Sequence, residues 1–266
     1  MRVAILGDTH ANYSWIWEAI DRCEDLGLKT IIQVGDLGIT SNARAAERWN
    51  KINKHLKLRG MQILVAPGNH EDYDRIALTD TNVEGWQPFR SEILLAPRGH
   101  RSELGGRSFV WLGGAGSVDR TLRAEWHALD GKRYWWPGEA LTVNDVEKTV
   151  AGGHADVFIS HDAPTGVPDL DIRLLRSESQ WDPADLAYAG ELRELFTRAV
   201  EGVSPDWLFH GHFHWGYRSY WKHPVTGKET RVVGMGMDND RHEGLGVLDL
   251  YDMSFNWVSI PHKGRK

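Results

Sequence analysis

The residues best suited to chemistry in this chain are acids, amides and histidines that recur in short motifs between residues 8 and 214. No cysteine is among them, so they offer carboxylate and amide oxygens and imidazole nitrogens, which suit divalent ions of the manganese, iron, zinc or nickel kind. Together they predict a two-metal hydrolytic site. The motifs follow one another in this order: Asp8-Thr9-His10, Gly35-Asp36, Gly68-Asn69-His70-Glu71, Ser160-His161-Asp162 and Gly211-His212-Phe213-His214.

Each motif taken alone also has an ordinary structural interpretation. Asp8 and His10 stand two residues apart after an apolar run, so in extended backbone their side chains project to the same side and can hold one ion. An isolated pair of this kind is nevertheless typical of a hydrogen-bonded turn, and Gly35-Asp36 is typical of a turn that ends a strand. The fixed order of all the motifs, three of them at the ends of consecutive predicted strands, favours the metal site.

Three short apolar runs predict the strands that position the first three motifs. They cover residues 3–6, 30–34 and 61–66, are rich in branched side chains, and are each followed at once by a motif. Apolar residues at helical spacing predict a helix over 16–23, and a second helix is predicted over 43–58. Parallel strands joined by such helices end along one edge of a sheet, where open α/β sheets bind their ligands.

The second half of the chain extends this pattern. Runs at 157–160 and 207–210 predict strands that lead into the two histidine motifs, with a helix over 186–200 between them. His210 lies on the strand itself and is predicted either to be a hydrogen-bonded core residue or to support a neighbouring metal ligand. A closing meander of strands is predicted from four further runs, at 217–221, 231–233, 246–250 and 256–260.

The composition limits the class of protein. The 266 residues show no compositional break, which predicts a single domain over 1–266, and the formal net charge of −6 disfavours extended nucleic-acid binding. The basic end, 262–266, is predicted to be a solvated tail. Cys23 is the only cysteine, which excludes an intrachain disulfide. Since neither a signal peptide nor a membrane span is predicted, we expect a cytoplasmic location.

The motifs give the chain its resemblance to a known family. The chain resembles the calcineurin-like metallophosphoesterase superfamily, whose pattern D-x-H, G-D, G-N-H-[DE], H and G-H-x-H is matched element by element. The resemblance implies an α/β fold, a four-layer α/β/β/α sandwich with two mixed β-sheets and a dimetal centre at the carboxyl-terminal edge of the strands. It also implies two divalent ions per chain, with manganese expected first and iron, zinc, nickel or cobalt as alternatives.

The resemblance also implies a role for each motif residue. Asp36 bridges the two metals so that a hydroxide between them can attack phosphorus in line. His70 is implied to hydrogen-bond the phosphoryl group and to protonate the leaving oxygen, a task that suits imidazole near neutral pH. The implied ligands of the first metal are Asp8, His10, Asp36 and His214, and those of the second are Asp36, Asn69, His161 and His212.

Residues 113–137 show no regular periodicity. A long loop within a compact domain is more often functional than idle, and guanidinium groups beside aromatic rings suit a nucleobase with a phosphate. This segment is therefore predicted to form a substrate flap over the metal centre. Arg120 or Arg123 would lie near the phosphate, and Trp135 or Trp136 would stack on the base or leaving group.

The leading functional interpretation is a phosphodiesterase that acts on small nucleotide-like esters, cyclic nucleotides included. The family's protein phosphatases carry G-D-x-V-D-R-G, whose arginine holds a phosphomonoester dianion, whereas residues 35–40 here read GDLGIT. A phosphomonoesterase that uses Arg120 or Arg123 instead is the alternative. A DNA nuclease and a non-catalytic scaffold are disfavoured, and the oligomeric state is left open. The expected partner is a small phosphoester substrate, without a membrane.

Overall fold

The computed structural model describes residues 1–40 and 42–261. The basic end of the chain lies outside the described residues, so its prediction as a solvated tail stays a prediction. In chain order the strands are β1 (Arg2–Leu6), β2 (Thr30–Gln33), β3 (Gln62–Val65), β4 (Gln87–Arg90), β5 (Ile93–Leu95), β6 (His100–Leu104), β7 (Arg107–Leu112), β8 (Val157–Ser160), β9 (Trp207–His210), β10 (Tyr217–Lys222), β11 (Glu229–Gly234), β12 (Leu245–Asp249) and β13 (Ser254–Trp257). The helices are α1 (Tyr13–Asp25), α2 (Ala43–Arg59), α3 (Tyr73–Ala77), α4 (Arg120–Asp130), α5 (Val143–Ala151), α6 (Pro168–Ser177) and α7 (Pro183–Val203), with short 3₁₀ turns at Pro137–Glu139 and Glu178–Gln180.

The strands form two mixed sheets. The first has the order β13-β12-β1-β2-β3-β5-β4, and the second has the order β10-β11-β9-β8-β7-β6. At the centre of the first sheet β1, β2 and β3 run parallel, and in the second sheet β7, β8 and β9 do the same. The carboxyl ends of the central strands in each sheet therefore lie along one edge, as the strand and helix order predicts.

Alternation along the strands builds the four predicted layers. Ile32 and Ile5 face the second sheet and pack with Phe109 and Phe209 between the sheets. Ile31, the neighbour of Ile32, points the other way and packs under α1 and α2. On the far side of the second sheet, side chains of β7, β8 and β9 pack against α5, α6 and α7. Because each sheet is covered on both faces, its central strands are almost entirely buried and mostly apolar, without a regular alternation of buried and exposed residues.

Local signals set the limits of the helices that join the central strands. The Asn12 side chain accepts a hydrogen bond from Trp15 N (3.2 Å) and starts α1, whose buried face includes Ile16 and Cys23. Asn42 caps α2, and Gly60 ends it in a left-handed conformation that favours glycine. Among the described residues, no helix combines the length and apolar character needed to span a bilayer.

Two sequence predictions are wrong in detail. Segment 113–137 is not an irregular loop, because its middle forms α4, in which Leu122, Trp126 and Leu129 follow helical spacing. All three are exposed, although their spacing in the sequence is that of an amphipathic helix. The closing strands are not one meander: β10 and β11 join the second sheet, whereas β12 and β13 extend the first.

Candidate metal centre

The seven residues predicted as metal ligands lie in loops that follow five strand ends at one edge of the sandwich. β1 precedes Asp8 and His10, β2 precedes Asp36, and β3 precedes Asn69. In the second sheet, His161 follows β8, and the pair His212 and His214 follows β9. The two sheets thus contribute side chains to one site from opposite sides.

Backbone strain is concentrated in these loops. The backbone φ angles of His10, Asp36, His212 and His214 are 44°, 54°, 68° and 64°, in the left-handed region that non-glycine residues avoid. Such residues cost about 1–3 kcal/mol each and persist only where their surroundings hold them. Here the His212 N–H donates to Asp8 Oδ2 (2.9 Å), and the His10 N–H donates to the Asp36 carbonyl (2.8 Å). The fold therefore stabilises a fixed arrangement of these loops.

Two motif glycines are required by close approach. A Cβ atom on Gly211 would overlap Asp8 Oδ1, and one on Gly68 would overlap Asp36 Oδ1. Each motif therefore pairs a ligand residue with a glycine that leaves room for a carboxylate from another strand.

One set of residues, the Asp8 group (Asp8, His10, Asp36 and His214), brings four ligand atoms within 4.8 Å of one another. His214 Nε2 lies 3.3 Å from Asp8 Oδ2, and His10 Nε2 lies 3.5 Å from Asp36 Oδ2. Asp8 Oδ1 and Asp36 Oδ2 are buried without a hydrogen-bond partner. Since a buried, unpartnered carboxylate oxygen is costly, this donor set fits a divalent cation.

A second set, the Asn69 group (Asp36, Asn69, His161 and His212), adjoins the first through the shared Asp36. Asn69 Oδ1 lies 2.9 Å from His161 Nε2 and 3.1 Å from His212 Nδ1. Asp36 Oδ1 lies 3.4 Å from His161 Nε2. Asp36 thus directs one carboxylate oxygen toward each group, and the Asn69 group is the more deeply buried of the two.

The carboxylates dominate the electrostatics of the centre. Burial by itself lowers the pKa of His10, but the nearby Asp36 carboxylate raises it to about 9. Burial also lowers the pKa of His161, but the charge of Asp36 outweighs it and raises that pKa to about 10. At Asp36, burial would raise the pKa, yet the charges of His161 and His70 hold it well below its usual range. The site therefore favours positive charge, and bound dications would supply it while the imidazoles acted as neutral ligands.

His70 lies beside both groups with its side chain partly open to solvent. Its Nε2 atom is 3.7 Å from Asp36 Oδ2 and 3.0 Å from Arg123 Nη2. Burial and the nearby Arg123 lower the pKa of His70, against the charge of Asp36. Arg123 is itself fixed by Asp119 Oδ1 (2.7 Å) and by the Tyr134 carbonyl. A guanidinium and an imidazole therefore meet next to the candidate metal positions.

Two buried glutamates hold these loops, and the sequence interpretation gave neither of them a role. Glu71, the last residue of its motif, accepts hydrogen bonds from the N–H groups of Leu37 and Ile39 (2.6 Å each) and so fixes the turn after Asp36. Glu139 accepts from the Ser117 hydroxyl (2.6 Å), and the Ser117 oxygen accepts from Asn69 Nδ2 (2.9 Å). This second chain of contacts directs Asn69 Oδ1 toward the histidines. The motif position of Glu71 was a usable signal, whereas nothing local marks Glu139.

Asp238 was also missed. It follows β11, and its carboxylate contacts His10 Nδ1 (3.2 Å) and accepts from Asn12 Nδ2 (2.6 Å). An acid on the far ring nitrogen fixes the orientation of a ligating imidazole. His210, by contrast, is fully buried and lies 2.6 Å from the Tyr217 hydroxyl, in agreement with its predicted core role.

Two cavities meet at His70. The basic cavity, of about 1010 Å³, is lined by His70, Arg75, Arg123, Lys132, Arg133 and Trp136 among others. The apolar cavity, of about 430 Å³, lies on the side of the Asn69 group and is lined by Asn69, His70, His212 and a set of apolar side chains, Leu174, Trp181, Leu186, Phe213 and Trp215.

The four residues predicted to contact substrate are divided between sites. Arg123 and Trp136 line the basic cavity with His70. Arg120 and Trp135 instead line a separate cavity with Arg123, away from His70. Arg120 forms an ion pair with the buried Asp185 (3.2 Å) and lies over the Tyr188 ring. The structure thus brings two of the four residues next to the metal centre and ties Arg120 to α7.

Similarity to solved structures agrees with this architecture. A dimetal phosphatase from Danio rerio superimposes with a TM-score of 0.52 at 10% identity, over 98% of this chain and 96% of that chain. A protein from Thermus thermophilus gives a TM-score of 0.50 at 11% identity, over 97% and 99% of the two chains. At such identities the similarity extends to the fold alone. No curated protein matches the sequence.

Similarity at the level of sequence is more specific. The sequence profile of the calcineurin-like phosphoesterases matches residues 1–216, a stretch that contains all five motifs. That family is dimetal-dependent, and the matched stretch contains every residue of the Asp8 group and the Asn69 group. The chain therefore belongs to the calcineurin-like phosphoesterase family.

Proposed function

We propose that the protein is a dimetal-dependent phosphodiesterase that hydrolyses small, nucleotide-like phosphodiesters. The observation that carries this proposal is that His70 lines two cavities at once. A phosphoryl group beside His70 has space for one ester arm on each side, which a monoester would not use. Absence of the dianion-holding arginine from residues 35–40 supports the same choice.

The Asp8 group and the Asn69 group would each hold one divalent ion, with manganese proposed first. When bound, the two ions would activate water for attack on phosphorus and neutralise charge on the phosphoryl oxygens. His70 would hydrogen-bond the phosphoryl group and donate a proton to the leaving oxygen. Asp238 and Ser117 would keep His10 and Asn69 in their orientations.

A phosphomonoesterase is the second candidate, and Arg123 favours it. Its guanidinium, 3.0 Å from His70 Nε2, could hold the additional charge of a monoester dianion. The test is to strip the protein of metal, restore single divalent ions, and compare kcat/KM for bis(p-nitrophenyl) phosphate and p-nitrophenyl phosphate. We expect the diester to be turned over with the higher kcat/KM, and the reverse preference would select the second candidate.

A further inference from the structure

The apolar cavity opens directly on the candidate metal centre. Its wall includes Asn69, His70 and His212, so a group bonded to a phosphoryl at the centre would enter it without crossing other protein. Its volume of about 430 Å³ is in the range of cavities that bind small molecules, about 300–1,000 Å³. Size and position therefore suit one arm of an ester.

Aromatic and aliphatic side chains form the outer part of this cavity. The Phe213 and Trp215 rings lie 6.0 Å apart, and Leu174 and Leu186 are among the side chains on the walls. Trp181 stands just before α7 and remains 39% exposed, although indole rings are usually well covered. A lining of this kind binds a flat, apolar group most favourably, because aromatic rings can stack on it and both surfaces are removed from water.

The charges of the cavity disfavour an anionic arm. Among the described residues, the only lysine or arginine that lines it is Arg193, which pairs with Asp171 (3.1 Å) and donates to the Pro164 carbonyl. Asp162 and Glu178 add negative charge to the wall. The basic cavity on the other side of His70 is more positive, since four lysine and arginine side chains line it against two aspartates, Asp72 and Asp74.

We infer that the apolar cavity binds an uncharged aromatic arm of the phosphodiester substrate. This inference rests on the proposed phosphodiesterase function and deepens it. The aromatic arm would then be bound by α6, α7 and the loop after β9, and not by Trp135 or Trp136 as the sequence predicts. Stacking of this kind is worth about 1–3 kcal/mol, which corresponds to roughly five- to a hundredfold in affinity.

Gly190 allows the cavity to be filled without disturbing the fold. It lies on the face of α7 that carries Leu186 and Arg193, and a Cβ atom added there meets no atom within 4 Å. Gly190→Phe would therefore occupy the cavity, and within a helix the replacement of glycine is favourable. Ala187→Phe is the matched control, since Ala187 is exposed on the same helix and does not line the cavity. Trp181→Ala removes a wall instead.

The experiment is calorimetric binding of diphenylphosphinate and dimethylphosphinate, whose P–C bonds are not hydrolysed, to the manganese-loaded protein and its variants. We expect the wild type and Ala187→Phe to bind diphenylphosphinate at least tenfold more tightly than dimethylphosphinate. Gly190→Phe and Trp181→Ala should reduce this preference to under threefold, with dimethylphosphinate binding almost unchanged.

Three results would overturn the inference: no preference in the wild type, a preference that survives Gly190→Phe, or a preference removed by Trp136→Ala alone, which would locate the aromatic arm in the basic cavity. Binding is measured without turnover. If the preference behaves as expected while bis(p-nitrophenyl) phosphate is not hydrolysed, the proposed function fails and the binding site stands.

Discussion

The metal-centre loops and helix α4 are neighbours, yet they are held in place by different forces. The side chains of Asp8, Asp36 and His161 are almost completely buried, and their loops are bound to one another by hydrogen bonds that cross between strands. In α4 no residue is fully buried, and its attachments include the ion pairs of Arg120 with Asp185 and of Arg123 with Asp119. The loops are therefore held by the buried core of the fold, whereas α4 lies on its surface and is attached by side-chain ion pairs.

This difference predicts that the loops determine metal binding and turnover, whereas α4 determines affinity for the substrate. Residues that would hold metal cannot shift without disturbing the ends of five strands. Residues on α4 that face the basic cavity can change with little effect on the core, because no residue of α4 belongs to the buried apolar core. Substitutions in the loops should therefore affect metal content and turnover, and substitutions on α4 should mainly affect KM.

The largest effect is expected at Asp36, the residue shared by both ligand groups. Asp36→Asn and Asp36→Ala should abolish measurable turnover and lower the metal content of both sites, because each carboxylate oxygen faces a different group. Elemental analysis after dialysis measures the stoichiometry. Asp145→Asn, at an acid that caps α5 away from the centre, is the control. Two full equivalents of metal in an inactive Asp36→Ala protein would contradict the shared role.

His70 comes next, since it lies beside the metal positions and is proposed to act on the leaving group. His70→Ala should lower kcat by about 10²–10⁴-fold, the usual contribution of a general acid, and should leave the metal stoichiometry unchanged. The loss should shrink for p-nitrophenolate esters, whose leaving group needs little protonation. An equal loss for good and poor leaving groups would indicate that His70 positions the substrate instead.

The features that could be predicted from the sequence are those set by local residue patterns, and the features that could not are those set by tertiary packing. The strand ends at Asp8, Asp36 and Asn69 could be predicted because each motif follows an apolar run. Since the strands are parallel, residues at their carboxyl ends lie along the same edge of the sheet. Glu139 could not, since its contact with Ser117 depends on how two loops pack. Helix α4 could have been predicted, since Leu122, Trp126 and Leu129 stand at helical spacing in the sequence, and only their exposure to solvent depends on tertiary packing. The two cavities likewise depend on tertiary packing.

Ser117 offers a smaller test within the loops. Ser117→Ala would release the Asn69 amide and should weaken binding of one ion by about 10–100-fold, the usual effect of removing a group that orients a metal ligand. At limiting manganese, the stoichiometry should fall toward one. Ser117→Thr keeps the hydroxyl and should restore the second equivalent, and Tyr188→Phe, which removes only an outer contact of Glu139, should resemble the wild type. Equal loss from both sites would show a general loosening of the centre.

The smallest effect is expected on α4, where the chain provides a matched pair one helical turn apart. Arg123 faces His70 in the basic cavity, whereas Arg120 pairs with Asp185. Arg123→Ala should raise KM for bis(p-nitrophenyl) phosphate roughly fivefold, the effect of losing one hydrogen bond worth about 1 kcal/mol. Arg120→Ala should leave KM unchanged and lower Tm, because the buried Asp185 carboxylate would lose its guanidinium partner and keep the hydrogen bond from the Thr121 N–H. A different result would be that Arg123→Ala lowers turnover of p-nitrophenyl phosphate more than a hundredfold and spares the diester. That result would show that Arg123 binds a monoester dianion and that a residue of α4 contributes to catalysis, not only to KM.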